Sequence, residues 1–143
     1  MGLTSFRFTS VALDTNIFIN ALSEKQSISV PAEQVLEKIS KESPVVYISV
    51  LAFEEFFIRI FKDNLDKRIA YYEDYITGGG FYTVVNVDRR IARQAAKIRA
   101  KYEAIKAPDA IHIASAQEVG AKIFLTFDRR IPRKIDRLSV VTP

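Results

Sequence analysis

The chain reads as an α/β protein with a mostly parallel sheet and helices packed on both of its faces. Three observations predict this. β-rich runs alternate with stretches of helical period along the whole sequence. Breaker residues (Gly78-Gly79-Gly80, Pro108, Gly120) fall at the joints between them. A chain of 143 residues, 48% of them hydrophobic, has the size and apolar content of one ordinary domain core. No repeat, low-complexity tract or linker divides it, so 1–143 reads as a single domain.

Residues 10–13 form the first strand, short and buried, and 15–22 start a helix directly after it. Pro31, followed by Ala32, Glu33 and Gln34, reads as the first position of a helix whose inner face holds Val35, Leu36 and Ile39. Val45–Ser49 is the second strand. From Val50 to Lys62 the period becomes helical, with Phe53, Phe57, Ile60 and Phe61 on one face, and Leu65–Ile76 is a further helix. The three glycines then turn the chain into the strand Phe81–Val87. Asp88 is placed to cap a helix whose stripe is Ile91, Ala95, Ile98, Tyr102 and Ile105. Pro108 opens another, which runs to Val119 and closes at Gly120. Lys122–Phe127 is a strand, and Leu138–Thr142 reads as a last one.

Composition narrows the chemistry. With no Cys, disulfides and thiolate metal sites are excluded. The first ten residues lack the pattern of a secretory leader, and every apolar run is broken well short of the roughly 20 residues that span a bilayer. The expectation is a soluble cytoplasmic protein, with no membrane association. A net charge of +4 and a pI near 9.4 lean toward a polyanionic partner.

The acids carry the functional signal. Asp14 ends the first strand and Asp128 ends the strand KIFLTFD. Glu54 and Glu55 lie near the start of the helix after VVYISV, and Asp109 lies in the first turn of APDAIHIASAQEVG. In a parallel sheet all of these fall on the carboxyl side, where ligands bind. Clustered, buried carboxylates repel unless they are protonated, paired with a base or bound to a cation. Oxygen donors suit Mg²⁺ or Mn²⁺, and a single His with no Cys offers little to zinc. A hard divalent ion open to water suits hydrolysis of a phosphodiester. Each acid also has a plainer reading. Asp14 is a plausible helix cap, Asp109 complements a helix dipole, Asp128 suits a turn, and Glu55 is spaced to pair with Arg59. Spacing alone does not choose between Glu54 and Glu55. His112, one turn beyond Asp109 on an apolar helix, reads as a packed core histidine rather than a base. The aromatic cluster Phe53, Phe56, Phe57 and Phe61 reads as core or dimer surface.

In order and spacing, ALDTNIFI, SVLAFEEFF and APDAIHIASAQEVGAKIFLTFD resemble the motifs of PIN-domain ribonucleases, in particular the small VapC toxins of toxin–antitoxin pairs. The resemblance implies a three-layer α/β/α sandwich and a Mg²⁺- or Mn²⁺-dependent endoribonuclease. It matches Asp14, Glu55, Asp109 and Asp128 to the family's catalytic, metal-holding acids, and Asn16 and Thr126 to supporting polar residues. It further implies an RNA substrate, a small antitoxin protein as partner, and a homodimer. The toxins often continue after the fourth acid with an acid and Phe; here the chain reads Arg129-Arg130-Ile131-Pro132. Arg89, Arg129 and Arg130 are the candidates for holding an RNA backbone at the rim. Two rival readings stand beside this one. A degenerate nuclease fold serving RNA binding or assembly would lack divalent-dependent cleavage. A phosphatase with an Asp nucleophile would want an acid two residues after Asp14, where the chain has Asn16.

Overall fold

The computed structural model describes residues 7–21, 25–42 and 44–143. The first six of the ten residues that lack a secretory-leader pattern, and the expected helix end at residue 22, lie outside them.

Among the described residues, six strands and six α-helices follow in order: β1 (Ser10–Leu13), α1 (Thr15–Ala21), α2 (Gln26–Glu42), β2 (Val45–Ser49), α3 (Leu51–Lys62), α4 (Ile69–Gly78), β3 (Tyr82–Val85), α5 (Arg89–Lys101), α6 (Ala107–Glu118), β4 (Ile123–Leu125), β5 (Lys134–Ile135) and β6 (Leu138–Val141). They build one sheet in the order β3-β2-β1-β4-β6-β5, parallel throughout except for the β5–β6 hairpin.

Side-chain alternation splits the core into two layers of apolar contact. Val11 and Leu13 of β1, with Ile123 and Leu125 of β4, pack against α1, α2, α3 and α4 through Ile17, Val35, Ile39, Phe56 and Ile76. Ala12 and Phe124 point the other way, onto Ile91, Ala95 and Ile98 of α5 and Ile113 and Ala114 of α6. The sheet is therefore covered on both faces, giving the three-layer α/β/α sandwich. Each fully buried side chain of this size contributes about 1.5–3 kcal/mol. None of the described helices is long and apolar enough to cross a membrane.

Several details differ from the sequence reading. The second helix begins at Gln26, so Pro31 lies inside it rather than at its first position. The Lys25 carbonyl starts the helix earlier, accepting from the Ile28 and Ser29 amides at 2.9 and 3.0 Å. Proline forgoes an N–H bond to Ser27, and both residues are exposed, so water can serve that carbonyl. On α3 the inward face is Ala52, Phe56 and Ile60, while Phe61 is 54% exposed. The segment expected as one helix from Leu65 begins as a 3₁₀ turn, Asp66–Arg68, before α4. β3 is shorter than expected because it is an edge strand, and its ladder partner among the described residues, β2, supplies residues Val46–Ser49.

Candidate metal centre

β1 and β4 are neighbours at the point where the chain's path across the sheet reverses. From β1 it steps outward to β2 and β3, then crosses back to β4 on β1's other side. Such a reversal opens a crevice at the strands' carboxyl ends. Leu13 and Leu125 are register partners, and the Asp14 amide donates to the Leu125 carbonyl at 2.9 Å. Asp14 and Thr126 therefore leave the sheet side by side.

Asp14 is only 5% exposed. The Thr126 hydroxyl donates to its Oδ2 at 2.6 Å, and the Asn16 amide Nδ2 donates to the same oxygen at 3.0 Å. Asn16 Nδ2 also reaches Thr126 Oγ1 at 3.2 Å, and the Asp128 amide donates to that hydroxyl at 3.0 Å. Thr126 Oγ1 thus uses its one donor and both lone pairs. Asn16 is locked in turn, its Oδ1 accepting from the Phe127 amide at 3.2 Å. These donors are neutral: they orient the carboxylate without cancelling its charge. Burial pushes the Asp14 carboxyl above the usual range, against the opposing pull of His112 and Thr126, and the Glu55 charge adds to the rise.

Glu55 and Glu54 part company on α3. Glu54 is exposed, whereas Glu55 is half-buried and turns its Oε2 to His112 Nε2 at 3.2 Å. Arg59 bonds Asp63, not Glu55. Burial raises the Glu55 carboxyl, but hydrogen bonds from His112 and Thr15 outweigh it and hold the group below its ordinary value. His112, on α6, is 2% exposed, with Thr15 Oγ1 also 3.2 Å from its Nε2. An ionised carboxylate only accepts, so Nε2 carries the proton that meets Glu55; Nδ1 is buried and has no hydrogen-bond partner among the described residues. The histidine is buried as its apolar helix predicts. Its contact with Glu55 was not foreseen, although its place one turn beyond Asp109 put it on the acids' side of α6.

Asp109, in the first turn of α6, is pushed up by burial first and then by the charges of Asp14, Asp128 and Glu55. Asp109 thus feels the charge of the other three predicted acids, but the ligand atoms grouped within 4.8 Å of one another are those of Asp14, Glu55 and His112, and neither Asp109 nor Asp128 joins them. Asp128 differs from the other three: Arg130 grips it with both Nε and Nη2, and this holds its carboxyl below the usual range. Arg130 is thus engaged at the cluster, while Arg89 and Arg129 are exposed.

The residues fit a hard divalent cation. Ligand atoms of Asp14, Glu55 and His112 lie within 4.8 Å of one another, close to the spread of donors on a single ion. His112 Nε2 is committed to Glu55, which leaves an oxygen donor set, the kind that Mg²⁺ and Mn²⁺ take. Two of the acids, Asp14 and Asp109, are held above their ordinary range by burial and by their neighbours' charge, a repulsion that a cation relieves.

Solved structures share the architecture. A toxin–antitoxin complex from Klebsiella pneumoniae is 25% identical, with a TM-score of 0.67, over 90% of this chain and 95% of that one. A DNA-bound VapBC from Salmonella typhimurium is 20% identical with a TM-score of 0.71, covering 94% and 98%. A sarcin–ricin-loop-cleaving VapC toxin from Mycobacterium tuberculosis is 18% identical with a TM-score of 0.68, covering 84% and 91%. No curated protein matches the sequence at a significant level. The family model of the PIN domain matches residues 11–137, from β1 through the β5–β6 turn, and by that match the chain belongs to the PIN domain family.

Proposed function

We propose that this protein is a Mg²⁺- or Mn²⁺-dependent endoribonuclease that hydrolyses RNA phosphodiester bonds, and that it is the toxin of a toxin–antitoxin pair acting in the cytoplasm. One observation carries the reading: Asp14 and Glu55, from separate segments, bring carboxylate oxygens within 4.8 Å of each other and of His112 beside the β1–β4 reversal, and the charges of Asp109 and Asp128 add to the same acidic cluster. PIN domains are nucleases as a class, which supports the reaction type.

Asp14, Glu55 and Asp109 would hold the ion, with Asp128 beside them. When bound, a divalent cation supplies Lewis acidity, stabilising the negative charge that develops on a phosphodiester attacked by water. The chain's own residues do the positioning. Thr126 and Asn16 fix the Asp14 rotamer, and His112 and Thr15 fix Glu55. Exposed Arg89 and Arg129 are suited to an RNA backbone at the rim, a contact that weakens with salt. Exposed Phe61, Tyr71 and Tyr75 offer apolar surface to an antitoxin or to a second copy in a homodimer. The likeness to the Klebsiella and Salmonella complexes supports an antitoxin as partner.

The test is cleavage of RNA by the purified chain with Mg²⁺ or Mn²⁺ and with a chelator. Wild type cuts only with the ion, and Asp109→Asn does not cut. Chelator-resistant cleavage, or full activity in Asp109→Asn, overturns the scheme. Binding of RNA with no cleavage under any ion favours the degenerate binding module instead.

A further inference from the structure

We propose that Arg130 occupies the place of a second cation, so that the crevice takes one divalent ion per chain, held by Asp14, Glu55 and Asp109. The inference rests on the metal-dependent reading above.

Arg130 engages both carboxylate oxygens of Asp128. Its Nε lies 2.9 Å from Oδ1 and 3.2 Å from Oδ2, its Nη2 lies 2.6 Å from Oδ2, and its own backbone amide donates to Oδ1 at 2.9 Å. Exposed ion pairs are usually weak, but a bidentate guanidinium fork backed by a main-chain donor is the geometry that holds. The pair is not peripheral to the acids. The Asp128 amide donates to Thr126 Oγ1, the hydroxyl that donates to Asp14, and the Asp109 charge is felt at Arg130.

Paired metal ions sit about 3.5–4 Å apart and need carboxylates for each. Here a second ion at Asp128 would compete with a guanidinium that already holds both of its oxygens. The guanidinium stays charged at every working pH and matches phosphate geometry as well as carboxylate geometry. It can therefore supply a second positive pole without a second metal.

Mn²⁺ titration by calorimetry, with the electron paramagnetic resonance of the bound ion, tests this on the full chain. Wild type is expected to bind one Mn²⁺ with an uncoupled signal. Arg130→Gln, whose side chain is largely exposed and dispensable to the core, is expected to bind two, with a spin-coupled signal. Arg130→Lys keeps the charge and is expected to stay at one. Two ions in wild type, two in Arg130→Lys, or one in Arg130→Gln overturns the proposal while leaving the nuclease reading intact. Wild type that binds no Mn²⁺ removes the metal-dependent reading itself, and this inference with it.

Discussion

Asp14 and Asp128 follow neighbouring parallel strands, each just past the register pair Leu13–Leu125, yet they live in opposite electrostatic settings. Asp14 is buried among neutral donors and its carboxyl is raised. Asp128 is gripped by a guanidinium and its carboxyl is lowered. A hydroxyl and an amide fix a carboxylate's direction and leave its charge for something else; an arginine fixes the direction and answers the charge as well. Of the two, Asp14 is the acid built to meet an incoming cation.

The sharpest way to break this contrast is Asp14→Asn. RNA cleavage with Mn²⁺ should fall by about a thousandfold or more, while the metal-free fold grows more stable at neutral pH. A carboxyl whose folded value is raised contributes stability that is complete below its unfolded value and is lost as pH rises through the folded value. Asp14 and Asp109 both act in this direction in the metal-free protein. Melting temperature should therefore rise as pH drops from neutral toward the carboxylate range. It should fall again at lower pH, when Glu55 and Asp128, whose folded values are lowered, take up protons. Asp14→Asn should flatten the first limb. Mn²⁺ should raise the wild-type melting temperature and leave this variant's unmoved. A wild-type first limb that is already flat would mean that Asp14 is not strained by its burial.

His112→Phe comes next. It keeps the apolar packing of α6 and removes the donor to Glu55, so metal-dependent cleavage should drop about 10–100-fold, as loss of a ligand's supporting partner does. Unchanged cleavage would make His112 a packing residue only. Thr126→Val is nearly isosteric and deprives Asp14 of its shortest hydrogen bond and the Asp128 amide of its acceptor. Denaturant unfolding should show a loss of about 1–3 kcal/mol. The smallest effect is expected from Asp128→Asn, whose partner Arg130 is exposed. Its melting temperature should stay close to wild type, and a large drop would contradict the contrast between the two acids.

Much of this was readable along the chain. The alternation of strands and helices, the Asp88 cap, whose Oδ1 accepts from the Ile91 amide at 2.9 Å, and the Pro108 start of α6 are local signals, and local physics decides them. The β5 strand was invisible. It is two residues long and exists only through its pairing with β6, across a turn in which Asp136 takes a positive φ of 53° without the glycine that would announce it. Glu54 and Glu55 are adjacent and alike in composition; the choice between them falls to the position of His112, 57 residues away, on the other layer's helix.

What the sequence determined by itself is most of the elements and the side of the sheet on which the acids fall, because periodicity, caps and breakers act over a few residues. What only the tertiary structure decided is the state of each acid: Asp14 neutral-donor-bound, Glu55 tied to His112, Asp128 answered by Arg130. Burial and the charge of distant neighbours set those states. Both arise only when four segments, far apart along the chain, are brought to one end of the sheet.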